Sequence, residues 1–205
     1  MSGDLVRPFA AGIDGASGGV DPAGVVSERR LSDLRGLFRD AAALERAVGE
    51  GDEVVYRVVA APVPEVEGEV PFSVTTIEAG RVGDEFYMTR GHAHPEPQGE
   101  VYFGLSGRGV LLMYDGEEVR WVEIRPGVAG YIPPGWAHRT ANVGGEPFRF
   151  LAVYPGSAGH DYAIVAEGGM GARVVRSAAG YEVVEEPGGA GPAVREYYRR
   201  RKKRG

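Results

Sequence analysis

Residues 91–107 read GHAHPEPQGEVYFGLSG, and residues 127–142 read GVAGYIPPGWAHRTAN. Both segments contain short runs of aliphatic and aromatic residues that stop at Gly or Pro, a composition typical of strands separated by turns. Three of the four histidines in the chain lie in these two segments. They therefore indicate β structure and metal-ligating side chains together.

The same pattern of short β runs extends in both directions from these segments. From about Glu53 onward the runs are EVVYRVVA, PFSVTTIEAG, EFYMTRG, EVYFGLSG, RGVLLMYDG, EEVRWVEIRPG, AGYIPPG, AHRTANVG, FRFLAVYPG and ARVVRS. Strands spaced by about 8 to 12 residues, with turn signals between them, predict an all-β sandwich or barrel. The segment YDGEE predicts a tight hairpin, since Asp-Gly readily adopts the positive φ angles of a two-residue turn.

The two ends of the chain differ from this β region. Residues 1–26 show no sustained periodicity and are expected to form an irregular or extended arm. Asp40 can cap a short helix over AAALERAV, with Gly49 and Gly51 as its stop. We expect residues 27–190 to form one domain, and the basic segment 191–205 to be a disordered tail.

Composition limits the functions that the chain can have. Its 205 residues are 43% hydrophobic and 25% charged, as in ordinary globular proteins, and no apolar run approaches the roughly 20 residues of a membrane span. No signal-peptide pattern is present, so a cytoplasmic location is the expectation. The formal net charge of the chain is −6. Residues 195–205 carry seven basic groups and one acidic group, so the rest of the chain has a net charge of about −12. An acidic body argues against specific binding of nucleic acid.

The chain has no cysteine, so any metal site must be built from His, Asp and Glu. Its two lysines are Lys202 and Lys203, which makes a buried Schiff-base lysine unavailable. The pair His92-Ala93-His94 would place both imidazoles on one face of an extended strand, where they can share an ion. Taken alone, such a pair is as often a surface or packing feature as a metal site.

The sequence around the histidine pair resembles the two motifs of the cupin superfamily. Glu100 and Gly107 follow the pair as the first motif requires, although the gap of five residues after His94 is slightly long. Gly127, Pro133, Gly135, His138 and Asn142 match the second motif at every position. The resemblance implies a double-stranded β-helix, or jelly-roll barrel.

It also implies four metal ligands: His92, His94, Glu100 and His138. Three neutral imidazoles and one carboxylate suit Fe(II), Mn(II), Ni(II) or Zn(II), and Fe(II) is the expected ion.

Longer stretches resemble one cupin family, the cupin-type phosphoglucose isomerases known mainly from archaea. These stretches are VTTIEAGRVGDEFYMTRGHAH, IPPGWAHRTANVG and FLAVYPGSAGHDYAIVAEGG, with RLSDLRGLF and DEVVYRV upstream. The likeness covers about residues 29–175. Its most specific signature is the segment that ends in GHDY, at residues 159–162.

This resemblance implies a sugar phosphate as substrate and assigns residues to it. The phosphate group would be held by Thr75, Thr89, Gly91, Tyr154 and His160, where Thr75 could be off by one from Thr76. Tyr102 and Tyr162 would line the pocket, and the catalytic group would be Glu100, His138 and Tyr162. Arg90 stands where the family often has lysine, which keeps the charge but changes its shape. The two threonines could equally be ordinary strand residues, and Tyr162 could simply fill the barrel.

The implied reaction interconverts glucose 6-phosphate and fructose 6-phosphate by moving hydrogen between C1 and C2. Either Glu100 takes the C2 proton and an enediol forms, or hydride shifts while Glu100 or water moves only a hydroxyl proton. The two alternatives to this activity are an Fe(II)-dependent cupin dioxygenase and a non-catalytic sugar-phosphate-binding cupin. The resemblance also implies a homodimer, since cupin barrels often pair through edge strands.

Overall fold

A computed structural model describes residues 6–186, which form fifteen strands, two α-helices and one 3₁₀ helix at Leu31–Leu34. The strands are β1 (Gly12–Ile13), β2 (Val20–Asp21), β3 (Val26–Arg30), β4 (Val54–Ala60), β5 (Phe72–Ile77), β6 (Arg81–Val82), β7 (Glu85–Phe86), β8 (Glu100–Ser106), β9 (Gly109–Tyr114), β10 (Val119–Ile124), β11 (Ala129–Ile132), β12 (Ala137–Asn142), β13 (Phe148–Val153), β14 (Ala172–Ser177) and β15 (Gly180–Glu185). The helices are α1 (Ala41–Glu50) and α2 (Ala163–Gly168). The predicted all-β class is confirmed.

Two antiparallel sheets make up the body of the barrel. The larger has six strands in the order β11-β8-β13-β5-β4-β3, and the smaller has the order β10-β9-β12. Residues 87–92 run antiparallel beside β12, with bridges at Met88–Ala141 and His92–His138. A further sheet, β15-β14-β7-β6, adjoins them. Strand neighbours far apart in sequence, such as β8 and β13, are what a jelly roll requires.

The main hydrophobic core lies between the two sheets. Ile77 and Phe148 come from the larger sheet, and Leu111 and Ile124 come from the smaller one; none of the four exposes more than 1% of its surface. Alternation along each strand sends these side chains inward. A core this well covered holds the inner faces of both sheets at fixed positions, which matters for any site built between them.

The N-terminal segment covers the outer face of the larger sheet. β1 and β2 form a small hairpin, and Val20 packs with Val59 and Val74 in a separate apolar cluster. Gly18 approaches so closely that a Cβ there would lie 2.3 Å from Oγ1 of Thr76. Residues 12–21, part of the arm expected to be irregular or extended, are therefore partly paired and docked on the barrel.

Helix α1 begins where Asp40 predicts and ends at Gly51, but it continues through Gly49, which was also expected to stop it. The Asp40 carboxylate accepts the amide of Ala43 at 2.8 Å, and the helix ends at Gly51. Leu44 is buried against the main core, with Ala43 and Ala47 packed beside it, so the helix covers part of the barrel. No helix within residues 6–186 is long and apolar enough to span a membrane.

The hairpin predicted at YDGEE joins β9 and β10, but its turn is built differently. Asp115 and Glu118 pair across the turn, and of the two central residues Gly116 has a positive φ of 94°. The Asp115 carboxylate instead accepts the amides of Glu117 and Glu118 at 3.0 and 2.9 Å. Asp115 therefore fixes the turn through its side chain, and only the glycine needs the left-handed region.

Several elements were not expected from the sequence. β3 and β15 are solvent-facing strands, and α2 is a single six-residue helix between β13 and β14. The predicted tail at 191–205 lies outside the described residues. The division of the chain into arm, domain and tail stays a prediction.

Candidate metal centre and sugar-phosphate pocket

Four ligand-type side chains converge at one end of the barrel. Glu100 is the first residue of β8 in the larger sheet, His138 is on β12 in the smaller sheet, and His92 and His94 are on the segment beside β12. The main chains of His92 and His138 exchange two hydrogen bonds, of 3.1 and 2.8 Å. The site therefore depends on both sheets being held face to face.

The distances within the cluster suit a shared ion. One potential ligand atom from each of His92, His94, Glu100 and His138 lies within 4.8 Å of all the others, and all four residues are buried. Oε2 of Glu100 is 2.9 Å from Nε2 of His138, 3.2 Å from that of His94 and 3.8 Å from that of His92. Three Nε2 atoms thus surround one carboxylate oxygen.

Second contacts orient two of the imidazoles. Nδ1 of His94 is 2.7 Å from the Gly159 carbonyl, and Nδ1 of His138 is 3.3 Å from that of Trp136. A carbonyl can only accept, so these contacts favour the proton on Nδ1 and leave each Nε2 with a lone pair directed inward. Such outer contacts are usual for histidines that bind metals.

The charges in the cluster also favour cation binding. Burial alone would raise the pKa of Glu100, but the adjacent imidazoles of His138 and His94 outweigh it and hold that pKa at about 2. Burial lowers the pKa of His92 well below its ordinary value, so its imidazole is neutral. Burial alone would lower the pKa of His94, but the Glu100 carboxylate outweighs burial and raises it. A divalent metal needs a charged carboxylate and neutral imidazoles, so its binding would displace the proton that Glu100 favours on His94.

Two buried nitrogen atoms point to an ion as their partner. Nε2 of His92 and Nε2 of His138 have no hydrogen-bond partner among residues 6–186, although Nε2 of His138 lies 2.9 Å from Oε2 of Glu100. Unpaired buried polar atoms are costly and rare in folded proteins. A metal bound by both atoms would remove that cost, so the residues present fit the ion that the sequence implies.

The cluster opens into a cavity of about 780 Å³. The cavity wall includes every residue that the sequence assigned to the substrate, together with one metal ligand of each type: Thr75, Thr89, Gly91, His92, Glu100, Tyr102, Tyr154, His160 and Tyr162. His94 and His138 are not part of the wall and stand behind it. The structure therefore brings the metal cluster and the assigned phosphate residues to one space.

The two assigned threonines face this cavity in different ways. Thr75 lies on the cavity wall, whereas Thr76 faces Gly18 on the opposite side of β5. Of these two candidates, only Thr75 can contact a substrate in the cavity. Oγ1 of Thr89 accepts the amide of Thr140 at 3.1 Å. Because that bond occupies a lone pair, the hydroxyl hydrogen of Thr89 stays available to a substrate oxygen.

His160 and Tyr162 reach the site through a second main-chain pairing. Ala93 and Asp161 exchange two hydrogen bonds, of 3.1 and 2.8 Å, which places the GHDY segment beside the His92–His94 segment. The ring centroid of His160 is 4.5 Å from that of His92, and the His160 ring stacks on Tyr162 with centroids 5.9 Å apart. The Arg90 guanidinium lies 5.4 Å from the Tyr162 ring, which brings a positive charge to the pocket.

Tyr102 is fully enclosed between the metal cluster and the core. Its ring centroid is 4.4 Å from that of Phe150 and 5.7 Å from that of His138. Burial raises the pKa of Tyr102 well above its ordinary value, so its hydroxyl stays protonated. Tyr102 can therefore donate a hydrogen bond to a substrate oxygen but does not serve as a base.

Sequence reasoning missed Glu65. Its carboxylate accepts a hydrogen bond from the Tyr154 hydroxyl at 2.7 Å and lies 3.6 Å from Nδ1 of His160. Glu65 therefore contacts two of the groups assigned to the phosphate. Burial and this carboxylate raise the pKa of Tyr154. Glu65 lies in the loop before β5, 89 residues before Tyr154, and nothing in its local sequence indicates a role. Tyr56 and Ser27 also line the cavity without having been predicted.

Comparison with known proteins gives one family. Residues 28–186 match the family model described as glucose-6-phosphate isomerase. The chain is 45% identical to glucose-6-phosphate isomerase from Thermococcus litoralis over 183 residues, which covers 88% of this chain and 96% of that protein. It is 42% identical to the glucose-6-phosphate isomerase of Pyrococcus furiosus, with the same coverage of both chains. The resemblance noted in the sequence is thereby confirmed over almost the whole domain.

Proposed function

The chain belongs to the cupin-type glucose-6-phosphate isomerase family, and we propose that it uses one divalent transition metal, held by His92, His94, Glu100 and His138, to interconvert glucose 6-phosphate and fructose 6-phosphate. One observation carries the metal dependence. The buried N₃O cluster and the polar groups suited to a phosphate face one cavity, with the rings of His92 and His160 in contact at 4.5 Å.

The phosphate end of the substrate would bind where hydrogen-bond donors cluster. We assign the Thr75 and Thr89 hydroxyls, the Gly91 amide, Tyr154 and His160 to the phosphate oxygens. Arg90 adds a positive charge nearby, which strengthens hydrogen bonds to a dianion. This anchoring would leave C1 and C2 of the sugar beside the metal cluster and Tyr102.

Glu100 is the group that we assign to proton transfer. In an enediol route its carboxylate takes the proton from C2 and returns it to C1, while a second proton passes from O2 to O1; in a hydride route it moves only the hydroxyl proton from O2 towards O1. A bound divalent ion would stabilise negative charge that develops on the two substrate oxygens. His138 would hold its ligand position, and Tyr162 with Tyr102 would exclude water from the reacting carbons.

The activity can be tested with fructose 6-phosphate and the purified protein, by following glucose 6-phosphate with an NADP-linked dehydrogenase. We expect turnover after loading with Fe(II), and with Mn(II), Ni(II) or Zn(II) to varying degrees. No turnover with any of these four metals would overturn the proposal. Oxygen uptake with a small organic substrate would favour the dioxygenase alternative instead, and binding of the sugar phosphate without turnover would favour the non-catalytic alternative.

Three finer inferences stay predictions. Fe(II) is the ion that we expect in the cell, because an N₃O set without thiolate suits it, but the same ligands accept its neighbours in the first transition row. The homodimer and the cytoplasmic location also come from the sequence alone. Metal analysis of the protein purified without added metal and light scattering in solution would test the first two.

A further inference from the structure

Arg139 is a charged side chain that is 93% buried behind the pocket. It follows His138 on β12 but does not line the cavity. Its guanidinium donates two hydrogen bonds to the carbonyl oxygen of Arg90, at 2.8 Å from Nη2 and 3.3 Å from Nε. Burial lowers the pKa of Arg139 to about 10, which leaves it charged at neutral pH. Burying a charged side chain costs free energy, so a buried guanidinium bonded to one main-chain carbonyl suggests a specific role.

The bonded carbonyl belongs to the peptide that joins Arg90 to Gly91. This peptide is trans and planar, so its C=O and the N–H of Gly91 point in opposite directions. Because the carbonyl is directed at Arg139, which lies behind the wall, the Gly91 N–H is directed away from it, towards the cavity that Gly91 lines. Within residues 6–186 no acceptor bonds this N–H.

Gly91 itself allows this arrangement. Its φ is +79°, a region that residues with a side chain rarely adopt, and a Cβ would lie 3.0 Å from the His138 carbonyl and 3.1 Å from Cβ of Arg139. The glycine therefore lets the chain lie flat against β12. Backbone freedom at glycine would let the peptide rotate, and the two bonds from Arg139 oppose that rotation.

Two charged groups, Glu85 and Arg173, lie on the far side of Arg139. Glu85, which is 2% exposed, lies on the same small void as Arg139 and bonds Arg173 at 2.7 Å. Arg173 also donates to the Leu37 carbonyl at 2.9 Å and has no bond to Arg90. The carboxylate of Glu85 offsets part of the cost of burying Arg139, whereas the positive charge of Arg173 opposes it.

We propose that Arg139 is a positioning residue for the substrate's phosphate group. By donating two hydrogen bonds to the Arg90 carbonyl, it orients the Gly91 N–H towards a phosphate oxygen. This inference rests on the proposed function, because it assumes that the phosphate binds beside Thr89 and Gly91. Arg139 touches neither substrate nor metal and acts only through the peptide it holds. Its loss should weaken phosphate binding more than it slows the chemical step.

The test compares Arg139→Lys and Arg139→Met with the matched control Arg173→Lys, each loaded with metal. We expect Arg139→Met to raise the KM for fructose 6-phosphate and the inhibition constant of inorganic phosphate by about tenfold, the value of one hydrogen bond to a charged group. Arg139→Lys, which can still donate to the carbonyl, should restore part of both. We expect kcat to change less than threefold, metal content to be unchanged, and Arg173→Lys to retain both constants.

Two results would overturn the proposal. One is a folded Arg139→Lys or Arg139→Met variant with both constants unaltered. The other is an equal rise in Arg173→Lys, which would indicate general loosening of the fold. Calorimetric titration of inorganic phosphate into the same metal-loaded proteins separates this inference from the proposed function. If the wild-type protein binds phosphate but isomerises nothing, the function fails, while a selective loss of phosphate binding in the Arg139 variants still supports the positioning role.

Discussion

The carboxylate of Glu100 is assigned two roles in the site, as a metal ligand and as the group that transfers a proton. Its pKa of about 2 makes it a good ligand and a weak base, since the imidazoles of His94 and His138 stabilise its charge. Accepting a proton would therefore require its contacts with the metal and the imidazoles to loosen during turnover. The neighbouring Tyr102 cannot replace it as a base, because burial keeps that hydroxyl protonated.

The first prediction concerns this carboxylate. Glu100→Gln keeps the size of the side chain but removes its charge, so we expect kcat to fall by about a hundredfold or more, the usual effect of losing a general base. Metal affinity should also fall, so kcat is measured at saturating metal, with metal content determined in parallel. Glu96→Gln is the control, because Glu96 lies in the same connection but outside the cavity wall. Full activity in Glu100→Gln would remove the residue from proton transfer.

The second prediction concerns Glu65, whose carboxylate lies on groups that the phosphate is expected to use. Glu65→Gln removes a negative charge that repels the substrate, so we expect the KM for fructose 6-phosphate to fall by about three- to tenfold. Glu67→Gln, a neighbour in the same loop that does not line the cavity, should leave KM unchanged. A higher KM in Glu65→Gln would instead mean that the carboxylate helps to hold the phosphate-binding groups in place.

Individual site residues were predictable to the extent that a local motif contained them. His92, His94, Glu100 and His138 fall in two short motifs, and His160 in a third, so the sequence alone placed them in one site. The choice between Thr75 and Thr76 needed the orientation of β5. Glu65 and Arg139 contact residues 89 and 49 positions away, and such contacts have no local signature.

At the scale of elements, the strands that alternate Val, Ile and Phe with polar residues were predictable, and helix α1 was fixed by Asp40 and Gly51. α2 was not, because it has only six residues, although the Asp161 carboxylate accepts the amides of Ala163 and Ile164 at its start. The docking of residues 12–21 on the larger sheet was also missed. It rests on the packing of Val20 with Val59 and Val74 and on the approach of Gly18 to β5, none of which is a local pattern.

The third prediction tests this docking. Gly18→Ala puts a Cβ 2.3 Å from Oγ1 of Thr76 at a φ of +77°, whereas Gly36→Ala has a similar φ of +82° with nothing within 4 Å. Both variants carry the cost of a positive φ, so their difference isolates the steric clash. We expect Gly18→Ala to lower the free energy of unfolding by about 1 to 3 kcal/mol more than Gly36→Ala, measured by urea denaturation. Equal losses would mean that the segment is not packed on the sheet as described.

For the whole molecule, an ion bound by the four ligands would tie the two sheets together, since Glu100 belongs to one sheet and His138 to the other. Without an ion, two buried imidazole nitrogens lack hydrogen-bond partners among residues 6–186. Metal binding should thus stabilise the entire barrel and not only the site. This coupling could be anticipated from the motifs only in part, because the facing arrangement of β8 and β12 is a property of the complete fold.

The fourth prediction is the thermal consequence. An ion present at about a thousand times its dissociation constant stabilises the folded state by about 4 kcal/mol, which for a chain of this size raises Tm by about 8 °C or more. Differential scanning calorimetry with and without a chelator would show the shift. His92→Ala with His94→Ala should unfold at the same temperature in both conditions. A wild-type Tm that does not respond to the chelator would contradict the coupling.

The measurement that tests the central claim most directly is a titration of metal-free protein with Fe(II), or with Mn(II), in which bound metal and turnover of fructose 6-phosphate are recorded on the same samples. The proposed site predicts that isomerase activity is absent at the start, rises in proportion to bound ion and saturates at one ion per chain. It also predicts that replacing His92 and His94 abolishes both signals together. Full activity in protein with no bound metal would contradict the claim.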